Sequence, residues 1–226
     1  MLLPLRKVID LKKPFPRILL MLIGVIGGLV IACAVFIATG HSFFVKTPEK
    51  PPSSANVNNA DLTALAYSVL EHIRDGDFVA LSQVAHPDYG VVFSPYTTVT
   101  LSTNRRFSAE QIALFDTDHS IYVWGIYNGT GEPIELTPAS YFAEFVLPRD
   151  YYTEASVIGI NRVVGSGNAL ENVLDEFPGL RFVDFHIPGG EKDTAEELDW
   201  SSLRIGFEEH EGSLWLTVIL RSTWAV

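Results

Sequence analysis

The stretch LRIGFEEHEGSLWLTVILRSTW, residues 203–224, decides the fold class. Residues 203–208 and 214–224 are rich in Leu, Ile, Val, Phe, Thr and Trp, and Glu-His-Glu-Gly-Ser separates them, so they predict a long closing β-hairpin. Just upstream, LRFVDFHI (180–187) predicts another strand. Its period-two alternation sets Phe182, Asp184 and His186 on one face and Val183, Phe185 and Ile187 on the other. Earlier in the chain the pattern is helical. Leu62, Leu65, Ala66, Val69, Leu70 and Ile73 recur at helical spacing after Asp61, a candidate N-cap, and Gly76 closes that helix. A second short helix is expected at 78–85, ahead of His86-Pro87. Helices first, strands mostly later and a terminal hairpin predict an α+β domain, a curved antiparallel sheet packed on N-terminal helices.

Between these ends, residues 90–101 predict a strand, with Pro95 confining it to an edge or bulge. Ser108 and Gln111 form a capping-box start for a short helix to Phe115. Residues 119–127 predict a strand closed by the turn Asn128-Gly-Thr-Gly131. Residues 138–147 predict a helix with Tyr141, Phe142 and Phe145 on one side. Asn168 and Glu171 repeat the capping pattern for a helix to about Phe177, which Pro178-Gly179 ends.

Outward from the domain the composition changes. Residues 39–60, with KTPEKPPSSANVNN at their heart, are rich in Pro, Ser and Asn without periodicity, and predict an extended stalk before a domain at 61–226. Residues 18–38, ILLMLIGVIGGLVIACAVFIA, are 21 residues without a charge. As a helix they would reach about 31 Å, the thickness of a hydrocarbon core. Residues 1–17 form a basic tail carrying Arg6, Lys7, Lys12, Lys13 and Arg17 against Asp10. The positive-inside rule then keeps the tail cytoplasmic and the body extracytoplasmic, as in a signal anchor of the cell membrane. Val30-Ile-Ala-Cys33 also fits a lipoprotein cleavage site, although the apolar run continues past Cys33. Gly24 and Gly28 are spaced for close helix approach, a hint of a homodimer. Cys33 is the sole cysteine, so no disulfide holds the body, which suits a bacterial envelope.

The 226 residues carry 16 basic and 27 acidic side chains, net −11. The tail has a surplus of four positive charges, while residues 39–226 hold 11 basic and 26 acidic groups, net −15. Such a body repels phosphate backbones, so nucleic acid is excluded as a partner.

Several constellations can carry chemistry. Asp184 can orient His186 for acid–base work, or both can be a solvated or core-edge pair. His86, His119 and His186 lack the tight spacing of metal ligands, and no metal or cofactor is expected. Ser94 lacks a nucleophile elbow. Gly165-Ser-Gly-Asn168 can cradle an anion, or simply turn the chain. Tyr96, Tyr122, Trp124, Tyr127, Tyr141, Tyr151 and Tyr152 can line a pocket or build the core, and Trp200, Trp215 and Trp224 look like packing residues of the hairpin.

His86-Pro-Asp-x-Gly-Val-x-Phe-Ser-Pro-Tyr96, Trp124-Gly-x-Tyr and Gly131-Glu-Pro-Ile-x-Leu-Thr137 together resemble a bacterial envelope family. Tyr141-Phe-x-x-Phe-Val146, Gly165-Ser-Gly-Asn168 and Asp199-Trp-x-Ser-Leu203 share the resemblance, which spans residues 77–226. It implies an exported domain, frequently a lipoprotein, and no particular activity. The helix–helix–strand opening and the closing hairpin are also similar to NTF2-like cone folds, which include both pocket enzymes and binding modules. The expected function is a membrane-anchored extracytoplasmic binding module for a small apolar ligand or envelope protein. Tyr96, Trp124, Tyr141 and His186 are its candidate pocket residues, and no catalytic residue is assigned. The alternatives are a hydrolase- or lyase-like enzyme using His186, Asp184 and Tyr96, or a structural assembly protein.

Overall fold

Asn58 begins the first helix. Its side chain accepts the amide N–H groups of Ala60 and Asp61 at 2.7 and 3.1 Å, and the Asp61 carboxylate accepts the Asn58 amide at 3.1 Å. Helix α1 therefore runs Asn59–Arg74, with Asp61 the reciprocal partner in a capping box rather than the cap. Just before it, Val57 packs on the core and accepts a 3.0 Å hydrogen bond from Arg181. The computed structural model describes residues 57–224 except 166, 192 and 193. The expected basic tail (1–17), membrane segment (18–38) and most of the stalk (39–60) lie outside the described residues. Among the described residues no helix is long and apolar enough to cross a membrane.

Helix α1 buries Leu62, Ala66, Val69, Leu70 and Ile73, the face its spacing predicts. Helix α2 (Phe78–Val84), capped by Asp77, follows and buries Leu81 and Val84. Strand β1 (Val91–Ser94) is buried along its whole length. It is shorter than the sequence pattern suggests, since Pro95 and the turns after it end the pairing. Strand β2 (Arg105–Phe107) pairs back onto β1, and helix α3 (Ala109–Ile112) starts at the Ser108–Gln111 capping box. Strands β3 (Tyr122–Ile126) and β4 (Pro133–Leu136) form a separate hairpin.

Thr137 caps helix α4 (Pro138–Tyr141), which widens at once into a π-helical turn, Phe142–Val146. The wider turn lets Tyr141, Phe142, Phe145 and Val146 all face inward. Like β2 and β4, two further short elements escape the sequence pattern: α5 (Tyr151–Glu154) and the edge strand β5 (Val157–Ile160). Helix α6 (Val173–Glu176) is much shorter than the helix expected from Asn168, because Glu171 bonds Arg204 and Asn172 bonds the Val99 backbone instead of capping. The last three strands are β6 (Arg181–Ile187), β7 (Ser201–His210) and β8 (Ser213–Thr223).

The main sheet is curved and runs β2-β1-β8-β7-β6-β5. It is mixed rather than antiparallel: β1 lies parallel to β8, with Phe93 opposite Ile219. The first strand enters from two helices, so no hairpin dictates its direction, and it zips along the last strand. One face of the sheet carries Phe93, Phe185, Leu203, Ile205 and Ile219 against the helices and the aromatic cluster. The other carries Val92, Phe182, Val218 and Leu220 beneath Val173, Phe177 and Leu180. The sheet is thus covered on both faces, and β7 is buried from Ser201 through Phe207.

Candidate functional site

Trp124 and Tyr141 stack at 3.8 Å between ring centroids, 7° from parallel, and both are buried. Phe93, Phe107, Phe115 and Phe142 surround them, and the Trp124 indole donates to the Leu136 carbonyl at 2.9 Å. These two side chains are core, and neither lines the cleft at Arg221 or the one beside Gly165 and Glu171. Burial drives the Tyr141 hydroxyl well above its ordinary pKa, which suits a packing role. Tyr96 packs its ring on Phe145, and its hydroxyl accepts the Asn128 amide at 3.3 Å, locking the turn of the β3–β4 hairpin.

Asp184 and His186 do share the face predicted from alternation, yet they serve different partners. The Asp184 carboxylate accepts the Val164 amide at 2.9 Å and pairs with Arg204 at 3.2 Å. Arg204 in turn pairs with Glu171 at 2.7 Å. The His186 ring meets the Ser202 hydroxyl at 2.9 Å and lies against Trp200. Burial lowers the His186 pKa, with the Asp184 charge opposing it, so the ring is held neutral. Among the described residues no Asp184 oxygen is within ion-pair distance of His186, and no contact joins Tyr96 to either. The triad of the enzymatic alternative is not assembled.

One cleft lies where the inner sheet face stops being apolar. Cross-strand register sets Ile205 opposite Ile219, Leu203 opposite Arg221 and Ser201 opposite Thr223, all on the inner face. Two rows of hydrocarbon and backbone thus give way to Arg221, Ser201 and Thr223. Arg149, Leu198, Asp199, Trp200 and Trp224 complete a cleft of about 350 Å³, within the size range of small-molecule sites.

Local chemistry fixes these walls. Asp150 caps α5 by accepting the Tyr152 amide at 3.1 Å, and Arg149 forks onto Glu154 with bonds of 3.1 and 2.7 Å. Tyr152 ties α5 to α1 through Glu71 at 2.9 Å. Tyr151 is thereby driven inward, fully buried, with its hydroxyl on the Ser201 hydroxyl. Burial raises the Tyr151 pKa, and the pull of Ser201 and Arg221 works against that rise. Trp200 is held by the glycine turn. A methyl group at Gly165 would strike the indole ring and the Ser202 hydroxyl, and one at Gly167 would press the indole at 3.3 Å. Gly165 and Gly167 are therefore close-packing positions against Trp200.

Arg149, Ser201 and Arg221 were not among the residues picked from sequence, and Trp200 and Trp224 appeared there as packing residues. Arg221 is the one charged residue of strand β8, which is visible in the sequence, but the face it takes depends on an irregularity of that strand.

No family model matches the chain, and no curated protein matches it in sequence. Among solved structures, it is similar to a protein described as a calcium/calmodulin-dependent protein kinase II association domain from Xanthomonas campestris. That likeness has 13% identity over 77% of this chain and 94% of the other, with a TM-score of 0.32. It is also similar to the protein named Rd1NTF2_05, in a substituted form, at 11% identity over 73% and 99%, with a TM-score of 0.28. Likenesses of this size leave the reading of the site to its own geometry.

Proposed function

We propose that the chain is a membrane-anchored, extracytoplasmic binding module whose NTF2-like domain takes a small ligand in the cleft between α5 and the ends of β7 and β8. The observation that carries the reading is Arg221, a charged side chain on the inner sheet face at the mouth of an otherwise apolar layer. The NTF2-like reading is supported by the helix–helix–strand opening, the closing hairpin, and a sheet order that brings the first strand beside the last. The anchor is supported by the uncharged segment 18–38 and its basic flank.

Filling the cleft tests the reading. In the full chain, held in detergent, Thr223→Trp should weaken saturable binding of small organic probes at least about tenfold while leaving the far-ultraviolet spectrum intact. Unchanged binding in that variant would place the ligand elsewhere. Protease added outside intact cell membranes should digest the body, and a protected body would overturn the orientation.

A further inference from the structure

The charges around the cleft differ in how fully they are already matched. Arg149 is forked onto Glu154. Arg204, on the opposite face of the sheet, is neutralised by Asp184 and Glu171. Arg221 has no carboxylate within ion-pair distance among the described residues. Its Nη1 donates to the Glu144 carbonyl at 3.3 Å, the Tyr151 hydroxyl also lies within its reach, and its buried Nε–H has no partner. A guanidinium that lines a partly enclosed site with no carboxylate partner favours an anion there, because charge-assisted hydrogen bonds are strong.

A second donor lies beside it. Tyr151 and Ser201 share a hydrogen bond in which either oxygen can donate. When Tyr151 donates, the Ser201 hydroxyl hydrogen is free to point into the cleft that Ser201 lines. Leu198, Trp200 and Trp224 give the cleft an apolar, partly open wall, with Leu198 44% exposed and Trp224 38% exposed. Asp199 stands exposed at the rim, where a second negative charge on the ligand would meet repulsion.

From this arrangement we infer that the cleft binds a small organic monocarboxylate, its carboxylate on Arg221 and Ser201 and its apolar body against Trp200 and Trp224. The inference rests on the cleft being the ligand site, as proposed above. It narrows the ligand from any small apolar molecule to an acid with a flat or aliphatic body, in a domain whose overall charge would otherwise repel acids.

The test compares acids with their neutral amides. Acetate, benzoate, phenylacetate and indole-3-acetate, each beside the matching amide, are titrated against the full chain in detergent by isothermal calorimetry. At least one acid should bind saturably and at least about tenfold more tightly than its amide. Arg221→Met should remove that preference, Arg221→Lys should keep part of it, and Tyr151→Phe should weaken the acid more than the amide. Amides that bind as well as acids, with Thr223→Trp blocking both, would overturn the acid assignment and leave the cleft as the site. If neither class binds, both readings fall. Should Arg221→Met lose the native spectrum, the Arg221→Lys and Tyr151→Phe comparisons still decide.

Discussion

Arg204 has no solvent exposure, and its burial depends on Asp184, equally buried, and on the Glu171 carboxylate at the edge of the covering segment. Removing one member of such a set leaves an uncompensated charge, whereas replacing both buried members with apolar groups can be nearly neutral. Arg204→Met should therefore cost about 3–5 kcal/mol in urea unfolding, and the double variant Arg204→Met with Asp184→Leu should recover more than half of that loss. A double variant no more stable than the single one would show that Asp184 is held by the Val164 amide rather than by Arg204. Alternation showed that Asp184 and His186 share a face, because that depends only on strand period. It could not show which cation Asp184 faces, because the pairing of Asp184 with Arg204 follows from the β6–β7 register twenty residues away. The same non-locality hid the separation of Tyr96 from His186.

Capping shows what a local pattern can and cannot settle about an element. Ser108 with Gln111 is legible and correct, since every group involved lies within four residues. Asp61 is a plausible cap by the same logic, but Asn58 competes and wins by recruiting Asp61 as its reciprocal partner. Asn58→Ala should thus destabilise the protein by about 1 kcal/mol, while Asp61→Ala should cost only a few tenths. The reverse order in thermal or urea unfolding would put the helix start back at Asp61. Farther along, Glu171 leaves its expected capping role because Arg204 offers a stronger partner, and the helix shrinks to Val173–Glu176. The final strand shows a different limit. Leu214 and Leu216 face inward, and a uniform alternation would then send Val218 and Leu220 inward and Arg221 to the other face. The irregularity opposite Gly206–Phe207 adds one residue and reverses the parity, so that Ile219 and Arg221 face inward. A single bulge thus moves Arg221 onto the cleft face, and no composition pattern near it gives the bulge away.

For the molecule as a whole, charge and histidine burial act in opposite directions as pH falls. Residues 39–226 carry a net −15 at neutral pH, and protonation relieves part of that self-repulsion, which favours the folded state. His86 and His186 oppose it. Burial lowers both folded-state pKa values, with the neighbouring His210 adding to the effect at His86. Asp88 and Asp184 only partly counter the shifts. His86 Nδ1 also accepts the Tyr89 amide at 3.0 Å, which requires that nitrogen unprotonated. With folded values below the ordinary 6.5, the unfolded chain takes up these protons first. Stability contributed by the two rings is therefore intact above about pH 6.5 and declines as pH drops through that value. Glu208 works the other way at lower pH, because burial raises its pKa and the folded chain is the first to protonate it. Salt separates the contributions, since it screens the dispersed surface repulsion far more than the desolvation of buried rings. The urea midpoint should consequently fall between pH 7.5 and 5.5, and fall more steeply in high salt than in low. Replacing His86 and His186 by Asn should flatten the high-salt slope. A midpoint that rises on acidification in high salt would mean that charge relief, not histidine burial, governs the acid response of this domain.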